Sequence, residues 1–422
     1  MAAEDRANTV SRRAVLGGSA AVAATALAVG SAAPASAATG KTARRDAFVT
    51  VRGGQFVIAG TPFRFGGTNT YYLHQQSHYM IDAALDDAAA MGLGVVRAWA
   101  FADGPSTVKP LQPEPFVYNE ANFDSLDYAV WKAGQLGIRL VLALTNNWPD
   151  YGGMRQYVSW FLNLPDDTFG DNVNHDRFYT DPGIRRCYKA YAAHVIGRRN
   201  RYTGLRYRDD PTIMTFELAN EPRNRSDKSG ATVLAWVREM SAHLKRLAPR
   251  HLVAVGDEGF YGIPTNFDYP YSTFEGNRWL EFLAVPTVDY GTFHLYPQGW
   301  GETSGAKPGV NAVQWGSDWI AAHLADGARL KIPVVLEEYG LQIDAARDVP
   351  DAATRDAGYA RWVGQVEQAG VGDHFWLLTS RVDDGSYYPD FDGYRVYWAN
   401  DAANPTNSTA QMLSAHAHRM SG

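Results

Sequence analysis

The chain has 422 residues, 45% hydrophobic and 20% charged, with a formal net charge of −6 and a single cysteine, Cys187. That length suits one large domain or two small ones. The acidic balance argues against a nucleic-acid partner, which requires a basic face, and one cysteine excludes an internal disulfide or a cysteine-built metal site.

Near the start, Ser11-Arg12-Arg13 precedes a small, apolar run over 14–29, and Ala35-Ser36-Ala37 offers an A-x-A cleavage site. Paired arginines before a weakly hydrophobic run read as a twin-arginine export signal over 1–37, so a secreted, extracellular protein is expected. The run is too short and too rich in alanine and glycine to anchor the chain in a membrane. Its removal takes away three arginines and two acids, moving the net charge from −6 to −7. The 12 Trp and 23 Tyr are partly core, yet in a secreted, acidic protein they also fit a groove that stacks on sugar rings. Residues 38–46 follow as a loose linker, and 47–422 as a single domain.

Residues 48–51 and 55–58, separated by Arg52-Gly53-Gly54, predict a small β-hairpin plugging one end of a barrel. A strand-then-helix rhythm then sets in. Strand-like runs fall at 63–69, 95–101, 139–144, 213–219, 252–258, 290–296, 333–339 and 374–379. Helical patterns fall at 81–91, 123–136, 184–199, 232–247, 313–324, 353–369 and 410–420. Eight strands alternating with helices predict an α/β fold of the closed (β/α)8 or TIM-barrel type rather than an open sheet. Segments 103–120, 148–180, 260–275, 297–312 and 380–397, rich in Gly, Pro, Asn and Asp, all follow strand ends. In a barrel such loops build the active face.

The most informative stretch runs from Ile213 to Arg223: a strand that Pro222 terminates, leaving Asn220 and Glu221 at its end. Other strand ends carry Arg97 and Trp99, Asn146-Asn147-Trp148, Asp257-Glu258, His294 and Tyr296, Glu337-Glu338, and Trp376. Taken singly these have plain explanations. Arg97 could pair a buried acid such as Glu217, His294 could be a bonded core histidine, and Trp376 could fill the barrel. Recurrence at the same end of successive strands points to a site.

Two carboxylates on facing strands of one barrel mouth are what glycosidic cleavage needs, and a separation of about 5–5.5 Å gives retention. Glu221 would have to hold a proton and Glu338 a charge, so their surroundings must differ; Arg97 is placed to hold Glu338 ionised. Side-chain alternation allows one of Glu337 and Glu338 to share the inward set with Val334 and Leu336. Parity places Glu338 in that set and turns Glu337 toward the helices or a neighbouring strand's polar group. A strand-end bulge would reverse this. His74 and His78, four apart without a third ligand, read as cleft or surface residues rather than a metal site.

These segments resemble glycoside hydrolase family 5, a clan A (β/α)8 family, and within it the endo-β-1,4-mannanase branch. The matching stretches are Arg97-Ala-Trp-Ala-Phe101, Asn146-Asn-Trp-Pro-Asp-Tyr-Gly-Gly153, Phe216-Glu-Leu-Ala-Asn-Glu-Pro-Arg223, Gly256-Asp-Glu-Gly-Phe-Tyr-Gly262, Tyr290-Gly-Thr-Phe-His-Leu-Tyr-Pro297, Leu336-Glu-Glu-Tyr-Gly340 and Phe391-Asp-Gly-Tyr394. The resemblance implies Glu221 as acid/base and Glu338, directly before Tyr339-Gly340, as nucleophile. It implies Asn220 on the sugar 2-hydroxyl, Arg97 and Tyr296 positioning the nucleophile, and His294 lining the site. Trp376 becomes the stacking floor, Arg223 serves the leaving side, and Trp99, Asn147, Trp148 and Glu258 join the substrate contacts. Asp257 departs from the pattern, which has a more neutral residue there, and segment 341–352 is longer and more charged. The expectation is a monomer without cofactor or metal, acting on β-mannan. An exo-acting β-mannosidase or a β-1,4-glucanase is the alternative, and a non-catalytic sugar binder the more distant one.

Overall fold

The computed structural model describes residues 46–398 and 404–421. The export signal, and the linker up to residue 45, lie outside the described residues. β1 (Val49–Arg52) and β2 (Gln55–Ile58) form the expected hairpin, with Val49 opposite Ile58 and Arg52 opposite Gln55. Gly53 and Gly54 both take positive φ, as a two-residue turn matched to strand twist requires. β3 (Thr61–Pro62) adds a short third strand.

Eight parallel strands follow: β4 (Gly66–Asn69), β5 (Val95–Trp99), β6 (Arg139–Ala143), β7 (Ile213–Glu217), β8 (Leu252–Ala254), β9 (Gly291–Leu295), β10 (Val334–Tyr339) and β11 (Gly372–Phe375). Their order, β8-β7-β6-β5-β4-β11-β10-β9, is that of a nearly closed (β/α)8 barrel. At the remaining seam, between β8 and β9, individual bonds replace a ladder. Asp289 N donates to Val253 O (2.9 Å), Val253 N to Asp289 Oδ2 (2.6 Å) and His294 N to Glu258 O (3.1 Å).

The connecting helices are α1 (His78–Ala90), α2 (Asp124–Leu136), α3 (Gly153–Leu162), α4 (Arg177–Thr180), α5 (Pro182–Gly197), α6 (Ala231–Leu247), α7 (Trp279–Leu283), α8 (Ala312–Leu330), α9 (Ala352–Ala369) and α10 (Asn407–Ser421). Ser77, Asp181, Asn311 and Asp351 cap α1, α5, α8 and α9 by accepting backbone N–H groups of the first turn. Among the described residues no helix is long and apolar enough to cross a membrane.

Three sequence expectations change. Segment 148–180 holds α3 and α4 rather than irregular loop alone. A Cβ at Gly152 would lie 2.1 Å from Asp103 O and one at Gly153 2.5 Å from Asn146 O, so the two glycines before α3 serve close approach. Helix 313–324 continues to Leu330, through an Asp326–Arg329 ion pair of 2.6 Å. The strand over 374–379 divides into β11 and a separate pair, β12 (Leu378–Thr379) with β13 (Val396–Tyr397), interrupted at Trp376.

The hairpin does plug the barrel's N-terminal end. Val49, Phe56 and Ile58 pack with Phe65, Val95, Val141, Met214, Leu252, Tyr290 and Val335, all buried. Phe56 meets Tyr290 edge-on at 5.2 Å. A larger layer between strands and helices contains the fully buried Trp236, Trp279, Trp319 and Trp362.

Candidate active site

At the opposite end the strands deliver polar side chains. Arg97, on β5, is wholly buried and acts as a hub. Its Nε and Nη2 bind Glu217 on β7 at 2.9 and 2.6 Å, Nη1 donates to Asn69 at 3.0 Å and Glu338 at 2.5 Å, and Nη2 donates to Asn220 at 2.8 Å. Both sequence readings of Arg97 therefore hold at once, the buried pair and the contact with Glu338. Tyr296 donates to the other Glu338 oxygen at 2.8 Å.

Glu221 follows β7 with φ 52°, a left-handed conformation costing a non-glycine residue on the order of 1 kcal/mol, and such strain gathers at functional sites. Its backbone N–H donates to Gly256 O at 2.8 Å, and Pro222 then turns the chain away. Its carboxylate accepts from Trp148 Nε1 and lies 2.8 Å from His294 Nδ1. Glu221, His294 and Glu338 each offer one ligand-type atom, all within 4.8 Å of one another. This trio has the donor types of a cation site, and within it His294 Nδ1 is hydrogen-bonded to Glu221.

β10 corrects the parity argument. Val334 and Leu336 face the helix layer, while Val335 faces the barrel interior. Glu337 follows Val335 inward, and a register shift against β9 between Leu336 and Glu338 turns Glu338 inward as well. Glu337 is thus not directed toward the helices. It is wholly buried beneath Glu338, 3.6 Å from both Arg97 and His294.

The charge preferences of the cleft also differ from expectation. Burial raises Glu221, but the His294 bond and charge, Arg223 and the Trp148 N–H outweigh it and bring its pKa down to about 2. Burial raises Glu338, with Glu221 adding to it, and the pull of His294, Arg97 and Tyr296 does not cancel this. Burial lowers His294, yet Glu338, Glu221 and Glu337 together hold it well above its ordinary value. The surroundings therefore favour the proton on His294 over Glu221, one hydrogen bond away. Asp257, the departure from the family pattern, is pushed by burial to about 7 and accepts from Gly259 N at 3.1 Å.

The cleft above these groups measures about 1030 Å³, the upper end for small-molecule sites. Trp99, Trp148, Asn220, Glu221, Arg223, Glu258, Tyr296, Glu338 and Trp376 line it. Arg97 and His294 sit beneath. Asn147 is not on the wall: its side chain is 1% exposed, and Asn146 lines the cleft instead, accepting from Asn220 Nδ2 at 2.9 Å. On one side Tyr71 stacks on Trp376 at 5.5 Å and 12°, and Trp376 Nε1 donates to Asp392. On the other, Arg223 forks onto Glu258 with two 2.6 Å bonds and lies 4.8 Å over the Trp148 ring. Tyr71, Tyr269, Trp300 and Tyr394 also line the cleft. Sequence reasoning missed them, although Tyr71 comes two residues after a strand end. His74 is buried and His78 pairs with Asp124 at 2.9 Å, so these two histidines do not meet as ligands.

A family model described as GH family 5 beta-mannosidase-like matches residues 46–376. A putative mannan endo-1,4-beta-mannosidase 5 of Oryza sativa subsp. japonica is 37% identical over 88% of this chain and 76% of that protein. The endo-beta-1,4-mannanase from Thermotoga petrophila aligns with a TM-score of 0.75 and 40% identity, over 85% of this chain and 77% of that one. The endo-1,4-beta-mannanase from Rhizomucor miehei aligns at 0.72 and 34%, over 88% and 99%.

Proposed function

This chain belongs to glycoside hydrolase family 5, and we propose that it cleaves internal β-1,4 linkages of mannan-type polysaccharides with retention of configuration. The observation that carries the reading is the approach of Glu221 and Glu338 to within 4.8 Å across one cleft, close to the spacing of retaining pairs and too short to hold an attacking water between them.

In the first step Glu338 attacks the anomeric carbon while the glycosidic C–O bond breaks. Glu221 gives its proton to the departing oxygen. Arg97 and Tyr296, on separate Glu338 oxygens, aim the nucleophile and hold its charge until attack. In the second step water adds its oxygen to the anomeric carbon and its proton to Glu221, and Glu338 leaves as carboxylate. The His294 proton, 2.8 Å from Glu221 Oε1, supplies the acid form when substrate displaces solvent.

Asn220, oriented by Arg97 and Asn146, serves the sugar 2-hydroxyl. Trp376 forms the floor, and Trp148 with Arg223 the leaving-side wall. A cleft walled by aromatics on both sides of the carboxylates suits a chain bound along its length. Export of the folded protein through the twin-arginine signal over 1–37, and action as a monomer, belong to the same proposal.

Reducing-sugar assays are expected to show mannan hydrolysed at least about tenfold faster than soluble cellulose derivatives, since hydroxyl geometry in a bonded site discriminates strongly. Equal or reversed rates would sink the mannan reading. Mannose released as the sole product of mannohexaose would replace the endo reading with the exo one.

A further inference from the structure

Glu337 has no part in the steps above, yet β10 bulges so that two consecutive carboxylates turn inward. Neither Glu337 oxygen has a hydrogen-bond partner, and neither does His294 Nε2. Two cations stand near Glu337 Oε2, Arg97 Nε and His294 Nε2, each at 3.6 Å. A guanidinium has five N–H groups, and all of those on Arg97 are taken: by Glu217 twice, and by Asn69, Glu338 and Asn220 once each. Tyr290, directly before β9 and facing the same space, donates its hydroxyl to Thr215. Of the two cations beside Glu337, His294 is the one with an N–H still to give. A buried carboxylate left without a donor is costly, so a ring N–H turned toward it is strongly favoured. The other ring nitrogen, Nδ1, is 2.8 Å from Glu221 Oε1 and 3.6 Å from Glu338 Oε2. One imidazole thus joins the buried carboxylate to both residues of the cleft pair.

We propose that Glu337 is a positioning residue for the acid/base: it fixes a proton on His294 Nε2, which holds the ring with Nδ1 against Glu221 and governs how tightly the Glu221–His294 pair keeps its proton. The proposal rests on the reading of Glu221 as acid/base. It follows the general pattern in which a carboxylate behind an imidazole selects its protonation and orientation.

The sign of the effect follows from the groups around the ring. Glu221, Glu337 and Glu338 face His294 directly, and Asp257, Glu258 and Tyr296 stand on the same side. Opposing them are the Arg97 charge and His374 on β11, which burial, Arg97 and His294 keep neutral, at about 3. Glu217 and Arg97 face Glu337 from β7 and β5. Burial, joined by Glu217, pushes Glu337 up to about 8 against the pull of Arg97 and His294, so Glu337 and the ring 3.6 Å away keep one shared proton through neutral pH, and with that proton on Nε2 the carboxylate is the anion. An anion at Glu337 stabilises the protonated Glu221–His294 pair. Removing that charge makes the pair lose its proton at lower pH.

The test is the pH dependence of kcat/KM on soluble mannan and on an aryl mannoside with an activated leaving group, for the wild type, Glu337→Gln and Glu337→Asp. The alkaline limb on mannan is expected to move toward acid by about one pH unit in Glu337→Gln and to stay near the wild-type position in Glu337→Asp, which keeps the charge. A folded Glu337→Gln with an unmoved limb and only a lower Tm means a purely structural residue and overturns the proposal. Nitrogen-15 NMR of the wild-type imidazoles decides without any variant and without turnover. Both His294 nitrogens are expected to be protonated at neutral pH, and an unprotonated Nε2 overturns the proposal. A chain that fails on mannan while giving the expected His294 spectrum would count against the substrate reading alone.

Discussion

At the hairpin end, Phe56, Phe65, Val95, Met214, Leu252 and Tyr290 close the barrel by apolar contact. A few residues further along the same strands, Arg97, Glu217, His294, Glu337 and Glu338 fill it with charge, all buried. Contact of the first kind is non-directional, so each side chain contributes separately and a substitution acts through lost volume. The second kind is directional and shared. Arg97 alone serves four residues, and removing that shared cation would leave their carboxylates unpaired in a medium that penalises them. Chemistry is confined to the end where interactions are shared.

The largest expected effect comes from breaking the charged end at its nucleophile. Glu338→Ala should lose turnover on the order of 10⁴-fold or more while keeping a Tm near that of the wild type, because a repelled carboxylate leaves with it. Added azide should restore part of the rate on an activated aryl mannoside. An active Glu338→Ala, or recovery of a 2-deoxy-2-fluoromannosyl label on Glu337, would reverse the assignment. Glu221→Gln comes next. Its rate on mannan should fall by roughly 10²–10⁴-fold, whereas an activated leaving group, needing no proton, should still glycosylate the enzyme in a rapid burst. A variant equally dead on both substrates would remove Glu221 from the acid/base role.

A matched pair of aromatic truncations sharpens the contrast between the ends. Phe56→Ala should cost about 3–5 kcal/mol of stability, read as a lowered Tm with kcat/KM unchanged in the folded fraction. Trp376→Ala, on the cleft floor, should do the reverse, raising KM and lowering kcat with little change in Tm. If Trp376→Ala unfolds and keeps its specific activity, it belongs with the packing residues.

The smallest effect lies outside both ends. His416 on α10 binds Asp373 on β11 and Glu367 on α9, each at 2.7 Å. Although burial lowers it, these carboxylates raise it to about 9 from an ordinary 6.5. Raised in the folded state, it stabilises fully below about pH 6.5 and loses that contribution as pH climbs through about 9. The difference in unfolding free energy between the wild type and His416→Gln should shrink over that window by on the order of 2 kcal/mol. A pH-independent difference in denaturant titrations would show that the ring acts by packing.

Much of this was legible in the sequence because local chemistry determined it. Gly53-Gly54 fixed a turn, and Pro222 marked where a strand must stop. Other features depend on what meets across the barrel. The inward turn of both Glu337 and Glu338 comes from a register shift against β9, and strand parity has no access to a neighbour's register. Asn146 and Asn147 differ by one position past a strand end, where alternation no longer governs direction. The proton on His294 depends on three carboxylates from two strands. Tyr71 reaches the cleft from the start of a short 3-10 helix and Trp300 from a loop, neither of which carries a periodic signal.

The seam between β8 and β9 makes this barrel a clasped ring rather than a seamless hoop. The clasp is Asp289, whose carboxylate holds Val253 N–H and Lys245 Nζ while its own amide reaches back to Val253 O. His294 stands on one lip and Glu258 on the other, joined by a single backbone hydrogen bond. A slit opening there would expose those amides to solvent exchange ahead of the ladders elsewhere. It would also draw the imidazole away from the carboxylate it serves. On warming, the molecule would be disarmed before it melts, with its helices intact and its acid already out of reach.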